Sequence, residues 1–251
     1  MPTWAQAWFW GLVAGVALVL GAAVAYLAPI PRRIIAGIMA FGGGVLISAL
    51  AFELMDAAYQ QGGLPSTAAG FLSGAAMFTA ANWYLSRSGA KHRKRSGSNQ
   101  PSEADHPGSG LAIAVGALLD GVPESIVIGV SMIGGGTVSI VTVLAVFLSN
   151  VPEGLSSTAG MKQAGRSARF IFGIWASIAV ISSIAAFVGY AMVSRFAPEW
   201  IAAVTAFAAG AILAMLADTM IPEAFEEAHA FTGLITVVGF LSAFVLSTML
   251  D

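Results

Sequence analysis

Eight stretches of this chain, at about 4–28, 34–58, 64–85, 110–133, 137–160, 170–194, 200–225 and 231–250, are built almost entirely from apolar and small residues. At 1.5 Å of rise per residue, a helix of about 20 residues crosses a hydrocarbon core roughly 30 Å thick, and each stretch reaches that length. The pattern predicts an all-α polytopic membrane protein, a single transmembrane domain over residues 1–251. Composition agrees: 10% of the residues are charged, against about 25% in an average globular domain. A β-barrel is excluded, because its strands alternate in polarity and run only about ten residues. The absence of cysteine removes disulfides and thiolate ligands. Nucleic acid is not an expected partner, since no basic face interleaved with aromatics is present. The first stretch reads as a span retained in the mature protein, because Met-Pro-Thr-Trp has no basic n-region and the apolar run exceeds an h-region.

The connections are short except for 86–109, which is rich in Ser, Gly, Pro and charge and reads as a flexible loop. The loops after the first, third and fifth stretches hold ten of the eleven Lys and Arg residues, leaving Arg195 opposite. By the positive-inside rule those loops are cytoplasmic, which puts both termini outside a plasma or inner membrane. Small-residue patches at Gly11/Gly15, Gly70/Gly74 and Gly42-Gly43-Gly44 suit close helix packing.

Within the stretches there is no Lys or Arg, yet Glu53, Asp56, Asp120, Glu124, Glu153, Asp218 and Glu223 all fall there. An ionised group at the membrane centre costs at least about 2.5–3.5 kcal/mol, so such groups face a polar interior, pair, or bind something. Without a basic residue in the same stretches, they are expected to serve a cation, a proton or water. An anionic substrate would call for Arg, Lys or helix N-termini instead.

Three of the acids share one pattern: Val122-Pro123-Glu124-Ser125, Val151-Pro152-Glu153-Gly154 and Ile221-Pro222-Glu223-Ala224. A proline inside a helix frees the carbonyl four residues earlier, here Leu119, Leu148 and Asp218. A carboxylate beside an exposed backbone oxygen is how unwound membrane helices coordinate cations. Asp120 and Glu124 stand at i and i+4, as do Ser149 and Glu153, so each pair shares a helix face. A tight turn at 134–136 makes the two helices antiparallel, and their midpoints level. Asp120, Glu124, Ser149, Asn150 and Glu153 are therefore expected to converge on one midplane metal site. Glu53 and Asp56 fall toward the outer end of their span, and Asp218 and Glu223 in the inner half of theirs. Glu226, Glu227 and His229 follow at the cytoplasmic end. Together these mark a pathway in, a site and a pathway out.

On these motifs the sequence resembles the ZIP (Zrt- and Irt-like) divalent metal transporter family, and the likeness spans the whole chain in topology. Asp120-Gly121-Val122-Pro123-Glu124-Ser125 is similar to the family's His-Asn-x-Pro-Glu-Gly, and Ser149-Asn150-Val151-Pro152-Glu153-Gly154 to its helix-five motif. Ile221-Pro222-Glu223-Ala224 looks like the family's helix-seven Pro-Glu-Ala, and Leu54-Met55-Asp56-Ala57 like a degenerate copy in helix two. The resemblance implies a ZIP-like eight-helix bundle that moves a divalent cation toward the cytoplasm and is not an enzyme. Asp120 stands where the family has histidine, and no acid lies between Ile171 and Ser194, so one metal per site is expected. An all-oxygen donor set leaves zinc and the harder ions manganese and ferrous iron as candidates. The ion is cargo, with no prosthetic group; membrane lipid is a further partner, and a homodimer is left open. His92 and His106 are what the family's His-rich loop reduces to, and the run at 91–95 reads as a topology signal and lipid-contacting patch. Two other classes remain open. One is a proton-coupled transporter of organic cations, whose aromatic cage is not evident beside the motifs. The other is an intramembrane metal hydrolase, which would need a His in a span.

Overall fold

The computed structural model describes residues 1–94, 100, 102, 107–133 and 138–250. Among the described residues all regular structure is helical, and six helical stretches are long and apolar enough to cross a membrane. The elements are α1 (Thr3–Leu27), α2 (Arg32–Ala49), α3 (Met55–Leu85), α4 (Ser109–Val130), α5 (Ile140–Gln163), α6 (Ala168–Val193), α7 (Pro198–Met215), α8 (Ile221–Ala228) and α9 (Thr232–Leu250). Their starts carry the expected chemistry. Ser139 accepts the amide of Thr142 at the start of α5, Ser167 accepts that of Phe170 at the start of α6, and Pro198 opens α7.

Two of the six stretches, Arg32–Ser88 and Pro198–Met249, exceed 50 residues, and both are interrupted. α2 passes into α3 through a π-helical turn, Leu50–Leu54, and α3 is itself broken at Gly63, whose φ of 70° and ψ of 179° are not helical. The expected gap at 59–63 thus contracts to one residue, in a conformation that favours glycine. α7 passes into α8 through a second π-helical turn, Leu216–Met220, and the chain then turns at His229, with φ of 45°.

An apolar core is joined here by an apolar surface, and several ionisable groups lie inside. Large apolar side chains such as Trp4, Leu20, Leu72, Ile184, Val237 and Leu241 are exposed, whereas Asp120, Glu124, Glu153, Ser149 and Ser156 are buried. Exposed apolar surface of that extent marks contact with another apolar phase, and the fold is accordingly consistent with an integral membrane protein.

Small residues let the helices approach closely. After Gly63, α3 runs alongside α7 in the same direction: a Cβ on Gly70 would meet the carbonyl of Ala203, and one on Gly74 the carbonyl of Phe207. α1 and α5 are also parallel, since Asn150 meets Ala14 and Lys162 meets Tyr26, and they approach closely where Gly154 lies against the Leu18 carbonyl and Gly21 against that of Val151. α1 crosses α6 antiparallel, and α4 lies parallel to α6. Trp175 of α6, fully buried, ties this group together by donating its indole N–H to Thr158 Oγ1 at 2.8 Å. Arg32 meets Gln163 and Glu227, Lys162 donates to the Tyr26 carbonyl, and Arg166 donates to Ser109 Oγ. The basic loops therefore share one end of the bundle.

Candidate cation site

α4 and α5 remain α-helical through Pro123 and Pro152. Membrane helices absorb proline when neighbours re-satisfy the freed groups. The third motif behaves differently. Pro222 sits in the first turn of α8, directly after the π-helical turn that contains Asp218, and Glu53 lies in the π-helical turn Leu50–Leu54. Such turns widen the hydrogen-bond ladder and occur often at functional positions.

The facing surfaces of α4 and α5 do meet level with one another. Ser149 Oγ lies 3.4 Å from Glu124 Oε1, and one ammonium reaches both Asp120 and Glu153. The turn at 134–136 that would join the helices lies outside the described residues. Asp120, Glu124, Ser149, Asn150 and Glu153 are all at most 4% exposed. Asn150, however, turns toward α1, where its amide donates to the carbonyl of Ala14 at 2.9 Å. Two oxygens in this group, Glu124 Oε2 and Asn150 Oδ1, are buried with no hydrogen-bond partner among the described residues.

The expectation that the membrane acids have no basic partner is overturned. Arg93 and Lys94, from the segment between α3 and α4, enter the bundle and are 2% and 3% exposed. Arg93 clasps Asp120 bidentately, Nε to Oδ2 and Nη2 to Oδ1, both at 2.9 Å. Its Nη1 donates to Asn82 Oδ1 of α3 at 2.8 Å. Lys94 Nζ lies 2.9 Å from Glu153 Oε2 and 3.4 Å from Asp120 Oδ2. These are charge-assisted bonds in a dry setting, the strongest polar contacts a side chain makes. The run at 91–95 is therefore not simply a lipid-facing patch: Lys91 is exposed, Arg93 and Lys94 are not, and Arg95 lies outside the described residues. Nor is 86–109 wholly a loose loop, since 86–90 forms a helical turn and Gln100 is buried, donating to the carbonyls of Arg93 and Ser157. His106 and the C-terminal Asp251 lie outside the described residues.

The remaining acids sit apart from this centre. Glu223 is buried, and Ser156 Oγ lies 3.5 Å from its Oε1 while also bonding the Lys94 carbonyl. Asp56 and Asp218 are exposed. Glu53 accepts hydrogen bonds from Ser139 and Ser247 and borders a cavity of about 150 Å³ of mixed lining, in which Gln61, Ser131, Thr142 and Thr205 stand among apolar side chains. A larger groove of about 600 Å³ beside Tyr84, Leu119 and Phe207 has no titratable carboxylate on its walls. Among the described residues no three His, Cys, Asp or Glu side chains are gathered closely enough to hold a metal ion. Arg93 and Lys94 take up both Asp120 oxygens and Glu153 Oε2 in this arrangement. Sequence reasoning missed these two residues, together with Asn82 and Ser156. The available signal was the excess of buried acid itself, with the run at 91–95 as the densest source of cations. Compared with protein-family models and with curated proteins, the sequence finds no match.

Proposed function

We propose that the chain is a divalent metal cation transporter of ZIP-like architecture, with eight crossings, that carries zinc, manganese or ferrous iron toward the cytoplasm. The observation that carries this reading is the placement of Asp120, Glu124 and Glu153 on the facing surfaces of α4 and α5 in the interior, with Glu124 Oε2 buried and unpartnered. Hard oxygen donors left unsatisfied in a dry interior suit a cation that sheds its water. Ser149 and Asn150 act as neutral ligands, the cavity at Glu53 with Asp56 outside it serves as the way in, and Asp218 and Glu223 line the way out.

Eight crossings are favoured because each of the two longest stretches is broken near its middle. At 1.5 Å per residue, 52–57 residues measure roughly 80 Å, more than twice a hydrocarbon core. The parallel run of α3 beyond Gly63 with α7 fits a reversal at that glycine. Orientation is tested on the cysteine-free chain. A cysteine placed between 96 and 109 is expected to react with an impermeant thiol reagent only once the cytoplasmic face is opened. One at Asp251 is expected to react from outside. The reverse pattern sinks the inward direction of transport.

The function itself is tested by uptake into liposomes, metal by metal and in competition. A donor set of carboxylate, amide and hydroxyl oxygens without imidazole is expected to carry manganese and ferrous iron alongside zinc. Carriage of zinc with exclusion of the other two would show that ligand softness does not set selectivity, and carriage of none removes the reading.

A further inference from the structure

The segment that enters the bundle brings two positive charges, those of Arg93 and Lys94, to the carboxylates that the transport reading gives to a divalent cation. Asp120 and Glu153 contact this pair and the buried Glu124 follows one turn along α4, so either the segment or a dication leaves these three acids within one charge of neutral. Both together do not fit. A guanidinium on both Asp120 oxygens and an ammonium on Glu153 Oε2 put positive charge where a metal would have to sit.

What holds the segment in place is polar throughout. Residues 86–109 contain no Val, Ile, Leu, Met, Phe, Trp or Tyr, so no large apolar side chain anchors it. Among its described attachments are the Asp120 and Glu153 pairs, Asn82 on Arg93, Ser156 on the Lys94 carbonyl, Gln100 on the carbonyl of Ser157, and Arg166 on Ser109 Oγ. A segment seated by ion pairs and hydrogen bonds, without a large apolar side chain to anchor it, yields to a competing charge. The seat is also shaped to receive it. Gly116 lies one turn before Asp120 on α4, and a Cβ there would run into the Arg93 side chain. Glu124, one turn further along α4, keeps a free oxygen beyond the seated cations.

We propose that Arg93 and Lys94 form a tethered stand-in for the cargo, an autoinhibitory contact that closes the site until an arriving divalent ion displaces it. The proposal rests on the transport reading. While the segment is seated, binding at Asp120 and Glu153 is blocked, and the apparent affinity for metal falls by the fraction of time the site is free. The segment belongs to a loop that the Lys and Arg count assigns to the cytoplasm, so release of the metal there and return of the segment compete for the same oxygens.

The test uses the full chain in liposomes with manganese and zinc ions as separate tracers. The charge-removing pair Arg93→Gln with Lys94→Gln is expected to raise initial uptake at subsaturating metal on the order of tenfold, the gain for a site previously free about a tenth of the time. Gly116→Val, which keeps every charge and fills the seat, is expected to do the same. Arg87→Gln, whose guanidinium stacks over Trp83 away from the site, leaves uptake unchanged. A second readout needs no charge variant: Gln100→Cys supplies a single thiol at a buried position. Manganese or zinc is expected to speed its reaction with a thiol reagent by drawing the segment out. If the native chain carries metal while neither charge removal nor Gly116→Val accelerates it, and metal leaves the thiol unchanged, the stand-in is refuted and the transport reading survives. If no variant carries either ion, the transport reading falls and the stand-in with it. Should the charge-removing pair fail to fold, Gly116→Val and the thiol decide.

Discussion

Glu124→Gln is expected to reduce metal uptake to background while leaving the folded protein as stable as before, or more so. Glu124 is buried beside Ser149, one of its oxygens has no hydrogen-bond partner, and the seated cations contact Asp120 and Glu153 instead. An unneutralised carboxylate in a membrane interior costs at least about 2.5–3.5 kcal/mol, and the isosteric amide removes that cost without opening a void. Function and stability therefore move in opposite directions, as expected of a ligand and not of a packing residue. Tracer uptake and thermal unfolding in detergent read the two quantities. Normal uptake by Glu124→Gln would falsify the assignment of this residue to the site.

Removing the two cations is expected to have the opposite effect on stability. In metal-free protein, Arg93→Gln with Lys94→Gln leaves Asp120 and Glu153 buried in α4 and α5 without their partners, and breaking a buried pair in this way costs about 3–5 kcal/mol. Added manganese or zinc is expected to restore much of the loss, because a ligand that binds only the folded state stabilises it by mass action. Asp120→Asn is expected to cost less than removal of the cations. Helices α4 and α5 hold their acids in place, but the segment bearing Arg93 has no large apolar anchor and its cations can return to water. Unfolding midpoints with and without metal give all three values. Equal losses from the acid and the cation sides would show that the segment is fixed in place like any structural ion pair.

Much of this arrangement was legible in the amino-acid sequence because the physics behind it is local. The membrane class follows from runs of apolar residues, and the shared faces of Asp120 with Glu124 and of Ser149 with Glu153 follow from the 3.6-residue period. Their level meeting across α4 and α5 follows from a short connection between helices of similar length. The small-residue patches at Gly70 and Gly74 likewise became a close helix crossing, against Ala203 and Phe207.

The tertiary structure alone decided what those carboxylates touch. Arg93 reaches Asp120 across 27 residues of sequence, Lys94 reaches Glu153 across 59, and Asn150 turns to Ala14 across 136. Counting charges span by span assigns a cation to the loop that encodes it, whereas a long flexible side chain places its charge wherever the folded chain carries it. The same limit applies to the prolines. A Pro-Glu pair in sequence marks a hydrogen bond that must be lost, but neighbouring helices decide whether the α-helix continues past it, as at Pro123 and Pro152, or widens beforehand into a π-helical turn, as at Pro222. Periodicity fixes which residues share a face; only packing between distant segments fixes what that face meets, because the energy of a buried charge depends on its neighbours in space.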